Sequence, residues 1–265
     1  MPGDLNGVRL KIKRADDHRT TLEHQAKVWV ESQQHEIVHE HNRETGEHFY
    51  RVRLPAPPDR WAIILGELAH NLRSALDHLV YQLVINNGVT PPDRNWLQFP
   101  IYSDAAKYKS ALSDGRGKYL VGVTDDVRDR IADLQPGNRR KLYPIVGSDP
   151  LEVLAALNDT DKHRILHPCA TVMTEIPPVT ENVVTALDNI TSIRIRAHNY
   201  IGLPVDQAVL FGLIVEPPTA DIEVKFDQTL AIGIAFGEGR AVPIGALLGL
   251  VAEIERIVGI FDPLF

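Results

Sequence analysis

The fold is decided by the stretch RWAIILGELAHNLRSALDHLVYQLVIN, residues 60–86. Its leucines recur at steps of three and four residues, which predicts one apolar stripe along an α-helix. The stripe consists of Leu65, Leu68, Leu72, Leu76, Leu79 and Leu83. The opposite face carries side chains that can bind metals, move protons or form hydrogen-bond networks, namely Glu67, His70, Ser74, Asp77, His78 and Tyr81, with Arg73 at its edge. Because a solvated helix face usually carries Lys, Glu and Gln, this face is a candidate functional surface.

A second candidate segment is LNDTDKHR, residues 157–164. The helix that contains it is predicted to start with Asp149 as the N-cap, Pro150 at the first helical position and Glu152 three residues after the cap. We expect this helix to span residues 149–167, because Pro168 would end it.

Two polar residues of this predicted helix, Asn158 and Asp161, fall within the arc of its apolar residues. Polar residues at core-facing positions occur at functional sites or in buried networks that are fully hydrogen-bonded. We therefore expect the helix to pack on residues 60–86 and to bury a polar network between the two. The members of this network would be His70, Arg73, Asp77 and His78 on one side and Asn158, Asp161, Lys162 and Arg164 on the other.

The rest of the chain predicts an α+β fold. Apolar spacing indicates a helix over residues 5–31, partial alternation indicates a β-hairpin within 35–54, and shorter helices are expected near 104–112 and 124–134. The C-terminal third contains β-rich runs separated by turn residues, followed by a helix from Pro243. The expected architecture has N-terminal helices with a β-hairpin, a C-terminal antiparallel sheet and a final packed helix. Residues 1–167 and 168–265 are expected to form one compact unit.

Composition restricts the function classes. The chain has 265 residues and a net charge of −7, which does not favour nucleic-acid binding but leaves room for a local basic patch. The lone cysteine, Cys169, excludes an intramolecular disulfide, so we expect a reducing, cytoplasmic setting. The N-terminus lacks the apolar core of a secretory signal. The most apolar window, residues 242–261, contains Glu253, Glu255 and Arg256, which favours a buried helix over a membrane span.

The spacing of the histidine, carboxylate and cysteine side chains bears on metal binding and nucleophilic catalysis. Asp159, His163 and His167 lie at i, i+4 and i+8 and would share a helix face, and Glu67 and His70 form an E-x-x-H pair. Because one helix rarely supplies a complete ligand set, no metal ligand and no cofactor are assigned. No G-x-S-x-G motif is present, and Cys169 is interpreted as a core residue. The histidines at positions 35, 39 and 41 are interpreted as one solvated hairpin face.

Three sequence blocks together resemble a family of bacterial, including actinobacterial, hypothetical proteins: LRSALDHLVYQL, FPIY and LNDTDKHR, within residues 60–167. The resemblance implies a bacterial source and brings no activity with it. The string from Arg73 to His78, R-x4-H, is similar to the signature of HEPN-type ribonucleases, helical domains that dimerise to cleave RNA. That resemblance implies that Arg73 stabilises phosphate charge and that His78 acts as acid or base. The same spacing joins Arg19 to His24 and Arg43 to His48.

The sequence favours a binding or regulatory protein with an unidentified ligand or protein partner, either as a monomer or as a homodimer, and without a membrane partner. The alternatives are an RNA-cleaving enzyme and a metal-dependent hydrolase. The catalytic candidates are Arg73, Asp77, His78, Asp161 and His163, and the binding candidates are His70, Tyr81, Asn158, Lys162 and Arg164. Since five residues rotate a helix by about 140° beyond a full turn, Arg73 and His78 are not expected to share a face.

Overall fold

The fold is α+β, as the sequence predicts. A computed structural model describes residues 3–32, 36–53, 56–91, 97–113, 119–143, 148–163, 166–174, 191–197, 209–218, 222, 228–236 and 240–265. The helices in these ranges are α1 (Asn6–Ser32), α2 (Arg60–Asn86), α3 (Ala105–Ser113), α4 (Asp125–Asp133), α5 (Pro150–His163) and α6 (Ala246–Phe261). The strands are β1 (Glu36–Asn42), β2 (Glu47–Arg53), β3 (His167–Thr174), β4 (Ser192–Ala197), β5 (Val209–Glu216), β6 (Gln228–Phe236) and β7 (Arg240–Pro243).

The strands form two antiparallel sheets, one in the order β1-β2-β5-β4 and one in the order β3-β6-β7. The predicted hairpin is the β1–β2 pair, and its turn uses Gly46 at φ +71°, a conformation that side chains with a Cβ rarely adopt. Because β2 also pairs with β5, the hairpin belongs to the same sheet as two C-terminal strands.

The chain forms two compact units, each built from segments distant in sequence. Unit 1 comprises Met1–Leu22, Ala62–Leu166 and Gly245–Phe265, and unit 2 comprises Glu23–Trp61 and His167–Ile244. Unit 1 is helical, and unit 2 contains both sheets. The predicted packing of the whole chain as one compact unit stays a prediction.

The leucine stripe of α2 forms the core of unit 1, which confirms the prediction. All six of its leucines are at most 4% exposed. Apolar faces of three other helices are buried in the same unit: Val8, Ile12 and Ala15 of α1, Leu151, Leu154 and Leu157 of α5, and Leu247, Val251, Ile254 and Val258 of α6. Among the described helices, none combines the length and apolarity needed to cross a bilayer.

Two predicted helix boundaries are wrong. Helix α5 starts as expected, with the Asp149 carboxylate accepting the Leu151 N–H at 2.8 Å, but it ends at His163. His167 begins β3, and Pro168 pairs with Ile234 in that strand rather than ending a helix. The proline is tolerated because β3 lies at the edge of its sheet, where a missing N–H breaks no second ladder.

Residue Pro243 ends β7 instead of starting the last helix, which begins at Ala246 after Gly245. Pairing of β7 with β6 explains the difference, because that strand is too short to show a sequence pattern of its own. Of the β-rich runs in the C-terminal third, residues 223–227 lie outside the described residues.

Candidate functional site

An ion pair on α2 holds the backbone of Phe99. The Arg73 Nη2 atom lies 2.9 Å from Asp77 Oδ1 and donates to the Phe99 carbonyl oxygen at 2.7 Å. The Phe99 N–H in turn donates to Asp77 Oδ1 at 2.9 Å. Both polar backbone groups of Phe99 are thus bonded to one turn of α2, and the phenylalanine side chain is fully buried.

The next residues are held from the other side by Gln135, which is itself fully buried. Its Nε2 atom donates to the Pro100 carbonyl oxygen at 2.9 Å, and its Oε1 atom accepts the Tyr102 N–H at 3.0 Å. Gly137 adds a backbone bond to the Tyr102 carbonyl oxygen at 3.1 Å. Residues 99–102 therefore resemble a short strand whose hydrogen-bond partners are mainly side chains.

The backbone of Ile101 is the exception in this segment. Neither its N–H nor its C=O has a hydrogen-bond partner in the described part of the chain. Alternate residues of an extended segment present their backbone groups to opposite sides, and here Pro100 and Tyr102 bond to Gln135. The Ile101 groups consequently lie on the same side as those of Phe99.

A cleft of about 380 Å³ opens beside this segment, entirely within unit 1. Its walls include the segment from Gln98 to Tyr102, Arg73 of α2 and Tyr119. The wall contributed by α5 consists of Ala155, Asn158, Asp159 and Lys162. The volume falls at the lower end of the range of small-molecule sites, about 300–1,000 Å³.

Arg73 lines the cleft, and its ion-pair partner Asp77 does not. Burial raises the pKa of the Asp77 carboxyl, and the Arg73 guanidinium, the Phe99 N–H and the Lys162 ammonium offset only part of that rise. Both hydrogens of Arg73 Nη2 are used by Phe99 and Asp77, whereas its Nε and Nη1 groups have no partner among the described residues. The cleft therefore presents a fixed cation with unused N–H donors.

Three of the predicted site residues, Arg73, Asn158 and Lys162, meet at this cleft. Asn158 is buried, as its position on the apolar arc of α5 predicts, and Lys162 is exposed. Arg73 and Asp77 pair with each other. The sequence predicts that at least one of Arg73 and Asp77 forms a salt bridge with Asp161 or Arg164. Among the described residues neither pairs with Asp161, and because Arg164 lies outside them, the pairing with Arg164 stays a prediction.

Asp161 is exposed, so the prediction that it is a buried partner is also wrong. Its carboxylate lies against Gly66 of α2, where an added Cβ would come within 2.8 Å of all three carboxyl atoms. The two helices do approach each other here, as predicted. Asp161 falls within the apolar arc, but its residue is exposed, and the missing Cβ of Gly66 leaves room for its carboxylate against α2.

His78 faces a different neighbour from Arg73. Its ring lies against Gly7 near the start of α1, and its Nε2 atom is 3.1 Å from Gln82 Nε2. Burial lowers the pKa of the imidazole, Lys11 lowers it further, and Asp4 opposes the change. The prediction that Arg73 and His78 do not share a face is confirmed, and the expectation that His78 joins a network with α5 is wrong.

His70 and Tyr81 do not line the cleft. His70 and Tyr81 are exposed on α2, and the side chain of His163 lies outside the described residues. The expectation that Asp159, His163 and His167 share one helix face is wrong because His167 belongs to β3. Glu67 pairs with His18 of α1 at 3.4 Å. Within the described ranges, no three His, Cys, Asp or Glu side chains are placed to hold a metal ion.

The hairpin histidines in unit 2 do not form a simple solvated face. His39 and His41 of β1 pair across the hairpin with Tyr50 and His48 of β2, and their rings stack. The His39 Nε2 and His48 Nδ1 atoms lie 2.9 Å apart. His48 is fully buried and Tyr50 is 5% exposed. Of the three predicted histidines, His39 is exposed, His41 is half-buried and His35 lies outside the described residues, so the prediction is confirmed for His39.

Sequence reasoning missed an ionic cluster in unit 1, which we call the Arg139 cluster: the buried residues Arg139, Asp149 and Glu253 and the exposed Arg256. Arg139 donates to Asp149 at 2.6 Å and to Glu253 of α6, and Arg256 donates to both oxygens of Glu253 at 2.8 Å. Burial opposes ionisation of Glu253, but the bonds from Arg256 and Arg139 outweigh it and lower its pKa. The sequence did offer one indication of this cluster, because Glu253 is adjacent to Ile254, a residue of the buried stripe of α6.

Comparison with known proteins identifies no matching family model, no similar curated protein and no similar solved structure.

Proposed function

We propose that unit 1 is a ligand-binding module and that its cleft beside Phe99–Tyr102 holds a small molecule, in keeping with a binding or regulatory role. The observation that carries the proposal is the hydrogen bonding of the Arg73 guanidinium. Its guanidinium is fixed through Nη2 by two hydrogen bonds, while its other N–H groups have no partner in the described chain and belong to a side chain that lines the cleft.

Preorganisation supports binding. A side chain that is already held in place loses little conformational entropy when a ligand arrives, so more of the interaction energy appears as affinity. The Phe99 clamp and the buried Gln135 fix one wall of the cleft, and Asn158 and Lys162 on α5 supply further polar groups on the other. A few converging polar groups in a concave site are the usual arrangement of a small-ligand pocket.

The direct test uses the methyl group of Ile101 as a reporter. Nuclear magnetic resonance of δ1-labelled isoleucines is recorded while a library of small polar compounds is added at millimolar concentration. We expect several compounds to shift the Ile101 signal and to leave that of Ile131, which is fully buried and does not line the cleft, unchanged.

A matched pair of variants completes this test. Ala155→Phe places a ring in the cleft and should abolish the Ile101 shifts, whereas Ala106→Phe, on an exposed position of α3, should retain them. A library that never shifts Ile101, or shifts that survive in Ala155→Phe, would reject the cleft as a binding site.

The nuclease and metal-hydrolase hypotheses stay predictions without a supporting observation. HEPN-type chemistry uses a paired Arg and His, and here Arg73 lies at the cleft while His78 lies against α1. A homodimer likewise stays a prediction.

A further inference from the structure

The chemistry of the cleft narrows the class of ligand. Three groups in its lining can recognise a ligand: the Ile101 N–H and C=O and the Arg73 Nε and Nη1 groups, which have no partner among the described residues, and the exposed ammonium of Lys162. The first of these matches an amide, because an N–H and a C=O on one residue form two bonds with one residue of an extended chain. The other two match an anion.

The order of these groups along the segment determines which end of a bound ligand lies beside Arg73. In an extended segment, the N–H of Ile101 lies on the same edge as the Phe99 carbonyl oxygen, which is the atom that Arg73 binds. The Ile101 carbonyl lies farther along that edge, away from Arg73. A ligand that pairs with Ile101 therefore has one end next to the guanidinium.

Pairing cannot continue past that point. The N–H and C=O of Phe99 are already bonded to Asp77 and Arg73, so a peptide strand finds no further partners beside Phe99. Along this edge only Ile101 can form backbone hydrogen bonds with a peptide, and the next group along it is the Arg73 guanidinium. A peptide chain that ends there with its carboxylate satisfies both the Ile101 N–H and the Arg73 guanidinium.

The positive charge of Arg73 beside Phe99 favours the carboxyl terminus of a peptide over its amino terminus. Arg73 lines the cleft and Asp77 does not, and Lys162 adds a second cation on the opposite wall. One carboxylate, Asp159, also lines the cleft, so the lining side chains carry two positive charges and one negative charge. Phe99, Pro100, Ile101 and the tyrosines at 102 and 119 supply apolar surface for the side chain of the last residue.

We infer that the cleft binds the carboxyl-terminal end of a short peptide. The last residue donates its amide N–H to the Ile101 carbonyl oxygen. Its carboxylate accepts hydrogen bonds from the Ile101 N–H and Arg73 and lies within the field of Lys162. This inference rests on the proposed function of the cleft and adds the class of ligand to it.

Isothermal titration calorimetry of the full chain at pH 7 tests the inference with N-acetyl-alanyl-leucine. The same peptide with a carboxamide in place of the carboxylate keeps its shape and loses the charge. We expect the free acid to bind and the carboxamide to bind at least about tenfold more weakly, because one charge-assisted contact contributes roughly that factor. An ester in place of the leucine N–H removes the bond to the Ile101 carbonyl and should weaken binding by a similar factor.

Variants locate the effect on the protein. Lys162→Glu reverses an exposed charge in the cleft and should weaken binding of the free acid by at least about tenfold while leaving the carboxamide unaffected. Lys109→Glu, an equivalent change on an exposed position of α3, should leave both affinities unchanged. Lys162 is exposed, so its replacement should not disturb the fold. Replacement of Arg73 would also remove its hydrogen bond to Phe99, and the test avoids this.

The results of these experiments distinguish recognition of a peptide carboxylate from ligand binding by the cleft in general. Equal binding of acid and carboxamide, or equal affinity in Lys162→Glu, would overturn carboxylate recognition while a shifted Ile101 signal keeps the cleft as a binding site. Failure of both peptides to bind, when other compounds still shift Ile101, would overturn the peptide class alone. Failure of every compound to shift Ile101 would overturn both.

Discussion

The Asp77 carboxyl group is in an unusual position for a helix surface residue. It accepts a hydrogen bond from the Phe99 N–H and faces Arg73, and both interactions favour its charged form. Burial nevertheless dominates and raises the pKa above the ordinary value of 3.8. The folded protein therefore binds a proton at Asp77 more readily than the unfolded chain does.

This shift predicts a specific dependence of stability on pH. Stability associated with Asp77 should be fully present below pH 3.8 and should be lost as the pH rises through the raised pKa of the folded state. Asp77→Asn lacks this titration. The free energy of unfolding of the unmutated protein minus that of Asp77→Asn should therefore fall as the pH rises, as measured by urea unfolding at a series of pH values.

Asp104 provides a control of opposite sign. It is exposed, and hydrogen bonds from the backbone N–H groups of Lys107 and Ala106 lower its pKa. The corresponding difference for Asp104→Asn should rise with pH and be lost as the pH falls below 3.8. Parallel curves for the two variants would show that burial does not govern Asp77.

At the residue scale, sequence reasoning succeeded for Asn158 and failed for Asp161, although both interrupt the same apolar arc of α5. Asn158 is buried beside the cleft, whereas Asp161 lies at the surface against Gly66. A helical wheel gives the direction in which a side chain points, but it does not show whether a neighbouring helix covers that side chain. The contact partner of Arg73 was unpredictable for a similar reason, because Phe99 is 26 residues away and lies outside regular secondary structure.

At the element scale, the Arg139 cluster connects three parts of unit 1. Arg139 follows the 3-10 turn Pro136–Asn138, Asp149 caps the start of α5, and Glu253 lies on α6. Arg139 is 6% exposed and both carboxylates are at most 8% exposed. Buried charges of this kind are tolerated only because they are paired.

Replacement of Arg139 should therefore be costly. Arg139→Met leaves Asp149 and Glu253 buried without their shared cation, and we expect the free energy of unfolding to fall by about 3–5 kcal/mol. Arg130→Met removes a half-exposed partner of the exposed Asp126 on α4 and should cost about 1 kcal/mol or less. Chemical denaturation of both variants measures the difference, and equal midpoints would show that the Arg139 cluster adds nothing beyond a surface ion pair.

The boundaries of elements divide into those that local chemistry sets and those that distant pairing sets. The start of α5 was predictable because Asp149 caps it through a local hydrogen bond. Its end was not, because His167 and Pro168 are held in β3 by residues of β6 nearly 70 positions later. The same holds for β7, whose four residues carry no pattern apart from their pairing with β6.

At the scale of the whole molecule, unit 1 depends on both ends of the chain. Arg9 of α1 pairs with Asp262 at 2.9 Å, and Gly3 packs against Phe265 and Asn86 so closely that a Cβ there would lie 3.0 Å and 3.1 Å from their side chains. Helix α6 also supplies Glu253 to the Arg139 cluster. The apolar face of α6 was predictable from its spacing, but its membership in a unit with residues near the N-terminus was not.

This arrangement makes a fragment ending at residue 167 a test of the whole architecture. Such a fragment retains α1 to α5 but lacks α6, so the surfaces that bury Leu247, Val251 and Ile254 become exposed and Arg139 loses Glu253. We expect the fragment to lose cooperative unfolding, as followed by circular dichroism during urea titration, and to bind a dye specific for exposed apolar surface. A peptide spanning residues 244–265, added in excess, should restore cooperativity because it returns the same face and the same carboxylate. If the fragment unfolds with the midpoint of the intact chain and without the peptide, the N-terminal part of the chain forms a domain by itself and the discontinuous unit is wrong.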